Sequence, residues 1–175
     1  MARHEEHRLA KGALAGTIAG IAGAWAMNQF QSVSSNVQQA WQRSAHQPQK
    51  AESQSSEEDD ATMKTADRLA MLFTNKHLTR EQKKKAGPVV HYAFGALIGS
   101  VYGVLAEITP SVTRGAGSVY ASAVWLGGDE IGVWKAGLAG PPTEYPAAVH
   151  ANAFLSHLAY GISTDLVRRA ARAVL

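Results

Sequence analysis

Between residues 12 and 30 the chain carries no charged side chain, and three later stretches come close to matching it. A bilayer core about 30 Å thick takes a helix of roughly 20 residues to cross. Runs of this kind are therefore membrane spans or the buried core helices of a soluble bundle. The second run, residues 89–106, has His91 near its start as its only ionisable group. The third, 115–134, is interrupted by Asp129 and Glu130, and the fourth, 145–164, holds only His150 and His157. A hydrophobic fraction of 46% would suit a soluble protein. That average hides a segregated chain, because polarity is gathered between residues 31 and 87.

Three features favour spans over soluble core helices. Soluble helices carry a charged face at a period near 3.6, and these runs lack one. Their flanks are charged: Arg8 and Lys11 precede the first, Lys83, Lys84 and Lys85 precede the second, and Arg168, Arg169 and Arg172 follow the fourth. Tyr and Trp stand near several ends, where amphipathic rings anchor spans at the interface. The expected fold is all-α: a four-helix transmembrane bundle with the bilayer as its first partner. Residues 1–30 form the N-terminal segment and first span, 31–88 a long polar insertion, and 89–175 three further spans and a basic C-terminus. Basic residues at both ends favour cytoplasmic N- and C-termini, although Lys83, Lys84 and Lys85 then lie outside, against the same tendency.

Several function classes fall away. There is no cysteine, hence no disulfide, thiolate metal site or cysteine nucleophile. The net charge of +3 is modest and the basic residues are dispersed, without the stripe that nucleic-acid binding needs. The opening MARHEEHRLAK places acids where a secretory leader is basic and no small-residue cleavage site follows, so the first run reads as a retained helix. No nucleophile motif, strand-linked GxGxxG or P-loop occurs. A membrane enzyme has the least support, and nothing calls for a cofactor.

Glycine spacing adds a packing prediction. Gly12, Gly16 and Gly20 recur every fourth residue, as do Gly95, Gly99 and Gly103. In lipid, small residues at this spacing let helix backbones approach closely. In water each would cost roughly 1 kcal/mol of helix stability against Ala. The facing helix can belong to the same chain, to a second copy in a homo-oligomer, or to another membrane protein.

Ionisable groups at membrane depth are costly and are functional candidates by default. Asp129 and Glu130 follow the helix-loosening pair Gly127 and Gly128. Adjacent α-helical positions diverge by about 100°, so the two carboxylates are expected to face different neighbours. Alternatively the helix ends near Gly128 and leaves both acids among headgroups. His150 and His157 share a face two turns apart, about 10 Å, too far to ligate one metal ion together. They are expected to hydrogen-bond between helices or to act in a proton relay with Asp129 or Glu130. His91 and Glu107 are expected at the interfaces, and Asp165 to pair with Arg168 or Arg169 with little consequence. Asn28 is available to hydrogen-bond across helices.

Within the insertion, Val33, Val37, Ala40 and Trp41 keep helical spacing, extending the first helix. The stretch QPQKAESQSSEEDD is low in apolar residues and reads as flexible. Asp60 is a helix cap before a stripe of Met63, Ala66, Leu69, Ala70 and Phe73, a helix expected to lie on the membrane surface or dock on the bundle. Pro88 suits the first turn of the second span.

His91 and Tyr102, then Ala106-Glu107 with Pro110, Pro141-Pro142, His157 and Arg168-Arg169 appear in one order. This series resembles the YagU-like family of uncharacterised bacterial inner-membrane proteins over residues 89–170, and more weakly in the first helix. The resemblance implies a helical inner-membrane protein with a loose association with acid tolerance and no established active site. The chain departs from the pattern in its highly charged insertion and in the acid pair where some relatives carry His. Two functions follow: a structural or regulatory membrane protein associating through its glycine faces, or a proton- or ion-handling protein using Asp129, Glu130, His150 and His157.

Overall fold

The charge-free stretch at 12–30 lies within one long helix, α1 (Ala2–Ser44). In the computed structural model the backbone is described for residues 2–44 and 59–175, and side chains for 3–39 and 59–175. The side chains of Ala40 and Trp41, and most of the QPQKAESQSSEEDD stretch, lie outside the described residues. Every element among the described residues is helical, and none is a strand.

Helix α2 (Ala61–Thr74) opens at Asp60, whose carboxylate accepts the Met63 N–H at 2.9 Å. It closes at Asn75, in the left-handed region at φ 57°, whose N–H reaches the Met71 carbonyl. Such an end satisfies a carbonyl the helix itself leaves orphaned. Helix α3 (Arg80–Ile108) starts earlier than its apolar run predicts. Thr79 and Gln82 form a reciprocal capping box, each side chain bonded to the other's backbone N–H. Pro88 therefore lies inside α3 and not in its first turn. The helix stops before Pro110, which opens a 3-10 turn (Pro110–Thr113).

The third run is a composite. Gly115, Ala116 and Gly117 all have positive φ, so the helix begins at Ser118 and not at Gly115. An α-helix, α4 (Ser118–Val124), passes into a π-helix (Trp125–Gly132) and a last α turn, α5 (Val133–Lys135). The chain does not end its helix at Gly128. It widens it, with the Val133 N–H reaching back five residues to the Gly128 carbonyl. Helix α6 (Ala147–Val174) completes the chain.

Helices α1 and α3 run antiparallel and meet glycine on glycine. A Cβ placed on Gly16 would fall 2.2 Å from the Gly99 carbonyl oxygen, one on Gly20 2.1 Å from that of Gly95, and one on Gly103 2.0 Å from that of Gly12. The two glycine series pack against each other within the chain. Helix α6 also runs antiparallel to α1, joined by Ser34–Asn152 at 2.6 Å near one end and by Lys11 donating to the Leu175 carbonyl at the other. The composite helix is antiparallel to both α3 and α6. Tyr120 donates to the Ile98 carbonyl at 2.9 Å, Trp125 packs edge-on to Phe154, and Gly117 abuts Gly161.

Side chains are distributed in reverse of the soluble pattern. The fully buried ones are Ala15, Ala19, Ala24, Ala121, Tyr102, Ser156, Thr164 and Asp165. Leu14, Ile18, Ile21 and Trp25 on α1, Phe94, Leu97 and Val101 on α3, and Leu155, Ile162 and Leu166 on α6 are exposed. Residues Arg3–Gln39 and α3 are long and apolar enough to cross a membrane, yet only 39% and 22% of their apolar windows are buried. Core helices of a soluble protein would be mostly buried.

Candidate functional site

Two polar assemblies occupy opposite ends of the bundle. The first lies with the chain termini. Asp165 is fully buried and accepts hydrogen bonds from Tyr102 (2.8 Å), Arg168 (3.1 Å) and Arg169 (2.8 Å). The Arg168 guanidinium also lies over the Tyr102 ring at 5.6 Å, and Tyr120 packs on the same ring. Nearby, Arg172 donates to Glu107 at 2.7 Å and Arg8 stands 4.0 Å away. Asp165 was expected to form a pair of little consequence, but it is the hub of a buried network linking α3 and α6. Sequence spacing shows the Arg partners but not the burial. That comes from Tyr102 and Gly161–Gly117 closing over the carboxylate, a tertiary effect.

The second assembly lies toward the other end, around a cavity of about 180 Å³ between α1, α2, α3, α6 and the π-helix. Its wall is mostly apolar, including Met27, Phe94, Ile98 and Val124. Its ionisable members are His91 from α3, Asp129 from the π-helix and His157 from α6, with Tyr160 beside them. The Tyr160 hydroxyl is committed to the Gly95 carbonyl at 2.8 Å. The first turn of α2, Ala61 and Thr62, forms part of the wall. Arg68 fastens α2 by donating to the Ala136 and Gly137 carbonyls. A cation at the end of the composite helix complements its exposed carbonyls.

The four predicted polar residues are thus divided in two. Glu130 and His150 form a pair at 2.7 Å, and the other ring nitrogen of His150 meets the Pro142 carbonyl at 3.1 Å. Each ring nitrogen of His150 therefore faces an oxygen, one on the π-helix and one in the loop before α6. Asp129 and His157 line the cavity instead. His157 Nδ1 donates to the Ala153 carbonyl at 2.8 Å, within its own helix. Asp129 makes no hydrogen bond or ion pair among the described residues, and the charges nearest it are His157, Glu130 and His150. The two carboxylates do go to different neighbours, Glu130 to His150 and Asp129 to the cavity. A π turn holds more residues than an α turn, so successive side chains separate by less than 100°.

His91, expected at an interface, has a cavity position that the sequence does not show. It lines the cavity, and its Nε2 is buried without a hydrogen-bond partner. An orphaned buried nitrogen calls for an explanation. The signal was the lone histidine opening an otherwise uncharged run, but only the fold puts it opposite Asp129 and His157. Asn28 bonds the Tyr92 hydroxyl at 3.3 Å, a cross-helix contact of the kind expected. Helix α2 is docked on α3 by Asp67. That residue accepts from His77 and from the Leu78 N–H and stands 3.5 Å from Lys83. The His77 and Leu78 hydrogen bonds, with Lys83, hold the Asp67 carboxyl below the usual carboxylate range. The bond to Asp59 pushes Lys83 up.

Among the described residues no three His, Asp or Glu side chains gather in a metal-holding group. Comparison with protein-family models, with curated proteins and with solved structures found no match.

Proposed function

We propose that this chain is a four-span protein of a bacterial inner membrane that binds and releases protons at the Asp129–His157–His91 cavity. Support for the membrane comes from the inverted distribution of side chains. Small and polar residues fill the interior while Leu, Ile, Val and Phe cover the outside of the helices. In lipid that arrangement is the stable one, because helices hold together by close packing and internal hydrogen bonds. The resemblance to the YagU-like family points the same way. The termini end carries Arg8, Lys11, Arg168, Arg169 and Arg172 and faces the cytoplasm in this reading.

One observation carries the proton-handling role. A carboxylate without a hydrogen-bond partner, exposed at the rim, and two histidines, one with an orphaned buried ring nitrogen, line one mostly apolar hollow. An intramembrane ionisable group without a partner is costly, and a proton is the simplest species that relieves it. Imidazoles beside it can pass that proton on. The glycine faces contact each other within the chain, which leaves them unavailable to a second copy. The structural or regulatory reading therefore rests on α1 beyond Ser34, where the exposed Val37 offers a partner surface.

Purified protein in liposomes under a pH gradient should carry proton flux above that of empty liposomes, and Asp129→Asn should abolish it. Flux no greater than that of empty liposomes removes the proton-handling role. Extraction of the chain from membranes by alkaline carbonate would remove the membrane role before it.

A further inference from the structure

The outer edge of α2 carries apolar side chains that the bundle does not cover. Leu69, Leu72 and Phe73 share one face at helical spacing and stay exposed, Leu72 at 76% and Phe73 at 80%. The helix is docked by its other sides, through buried Ala66, through Asp67 to His77 and Lys83, and through Arg68 to the Ala136 and Gly137 carbonyls. Beyond Asp67 the charge is one-sided. From residue 68 to residue 88, six Lys or Arg stand against one acid, Glu81. Lys83 is held by Asp59 and Asp67. Lys76, Lys84 and Lys85 are exposed and make no hydrogen bond or ion pair among the described residues.

Height along the bundle decides what such a surface meets. Arg68 ties the middle of α2 to backbone two and three residues past Trp134. Trp134 is exposed, with the Lys135 ammonium 4.7 Å from the centre of its ring. An exposed Trp beside a Lys at the end of a span marks the headgroup layer. Leu69 and Leu72 follow Arg68 by one and four residues, within about 6 Å along the helix. The apolar edge of α2 therefore leaves the bundle at that layer. Exposed Leu and Phe beside unpaired lysines suit an anionic bilayer surface, where apolar groups sink to the acyl boundary and lysines meet phosphate. An acidic soluble protein would match the charge but not the position beside Trp134.

We infer that the α2–α3 hairpin binds anionic phospholipid headgroups of the leaflet around it. Leu69, Leu72 and Phe73 sit at the acyl boundary, and Lys76, Lys84 and Lys85 hold the phosphates. The inference rests on the membrane reading and is independent of the proton site. It also gives Lys84 and Lys85 a partner on the outer side, where the positive-inside tendency alone disfavours them.

The chain has no cysteine, so Phe73→Cys and Leu97→Cys each accept a single nitrobenzoxadiazole label, whose ring stands in for the apolar side chain. Each full-length protein is placed in nanodiscs of phosphatidylcholine with rising phosphatidylglycerol, the lipid spin-labelled either at the headgroup or in mid-chain. Leu97 is exposed within the apolar run of α3, and its label should be quenched by chain-labelled lipid at every composition. The Phe73 label should be quenched by headgroup-labelled lipid increasingly as phosphatidylglycerol rises. Lys76→Gln, Lys84→Gln and Lys85→Gln together should raise the phosphatidylglycerol content for half of that effect at least about fivefold. The Leu97 signal should not change in that variant, which shows that it still folds and inserts. Quenching at Phe73 that ignores either phosphatidylglycerol or the three lysines overturns the inference. So does a Phe73 label left in water, which would leave this edge to an acidic protein instead. A Leu97 label that no lipid quenches sinks the membrane reading itself.

Discussion

Substituting Gly99 with Ala tests the α1–α3 contact at its centre. The new methyl would lie 2.4 Å from the Gly16 carbonyl oxygen and 2.5 Å from the Gly20 Cα. Ordinary carbon contacts begin near 3.5 Å, so the helices must separate by about 1 Å. Both obstructing atoms are backbone, and neither can rotate away. A radial gap of 0.5–1 Å already forfeits about a quarter to a half of each van der Waals well, and the flanking pairs Gly16–Gly103 and Gly20–Gly95 open with it. Overpacking of this kind costs about 1–3 kcal/mol. The gain in helix propensity from Gly to Ala, roughly 1 kcal/mol, offsets part of it. The expected net loss is up to about 2 kcal/mol against wild type, and about 1–3 kcal/mol against a Gly→Ala change that meets no clash, read as a lower midpoint when the protein is unfolded by SDS in mixed micelles and followed by circular dichroism. Gly127→Ala is the internal control, since a Cβ there meets nothing within 4 Å. Gly16→Ala combined with Gly99→Ala should cost less than the sum of the two, because one separation relieves both clashes. If Gly99→Ala matches wild type and Gly127→Ala in midpoint, the close backbone contact is refuted.

Four further outcomes follow from the ends of the bundle. Tyr102→Phe should cost about 1.5–3 kcal/mol, the range for a hydrogen bond to a charged group. Asp165→Leu, which leaves Arg168 buried without its anion, should cost about 3–5 kcal/mol in the same SDS titration. Docking of α2 on α3 should be retained through mild acid, because the Asp67 pKa is depressed by His77, Leu78 and Lys83. Its contribution is present above the unfolded carboxylate value near 3.8 and is lost only as pH falls through the lower folded value. A spin-label pair on cysteines introduced at Lys64 and Lys84 of this cysteine-free chain reads the separation, and loosening near neutral pH would contradict it. Thr79→Ala should cost about 1 kcal/mol through loss of the α3 cap, seen as faster amide exchange over residues 80–83. Unchanged exchange there would rule the cap out.

Local signals were sufficient for much of the helical framework. Uncharged runs near residues 12–30 and 89–106 need a helix because every backbone polar group in an apolar setting must be satisfied internally. Asp60 is a cap by its chemistry alone. The box of Thr79 and Gln82 was equally legible, although the apolar run drew attention to Val89 and made Pro88 look like a first-turn residue. The amphipathic stripe on α2 was only partly informative. Ala66 is buried, while Leu69 and Phe73 remain exposed, because α2 meets α3 through Thr62, Met63 and Asp67, on another side of the helix.

By itself, the sequence determined that the chain is helical, that its apolar and polar parts are segregated, and that two four-residue glycine series demand close backbone partners. Each of these depends on residues near one another in the chain. Only the tertiary structure decided that the two series meet each other, with Gly16 against Gly99. It also decided that Asp165 is a buried hub, and that His91 joins Asp129 and His157 while Glu130 turns to His150. Those pairings join residues on separate helices, and the last also depends on a π turn that α-helical periodicity does not anticipate. The physical reason is that burial and partnership depend on which helix faces are brought together, and that is set by packing of the whole bundle.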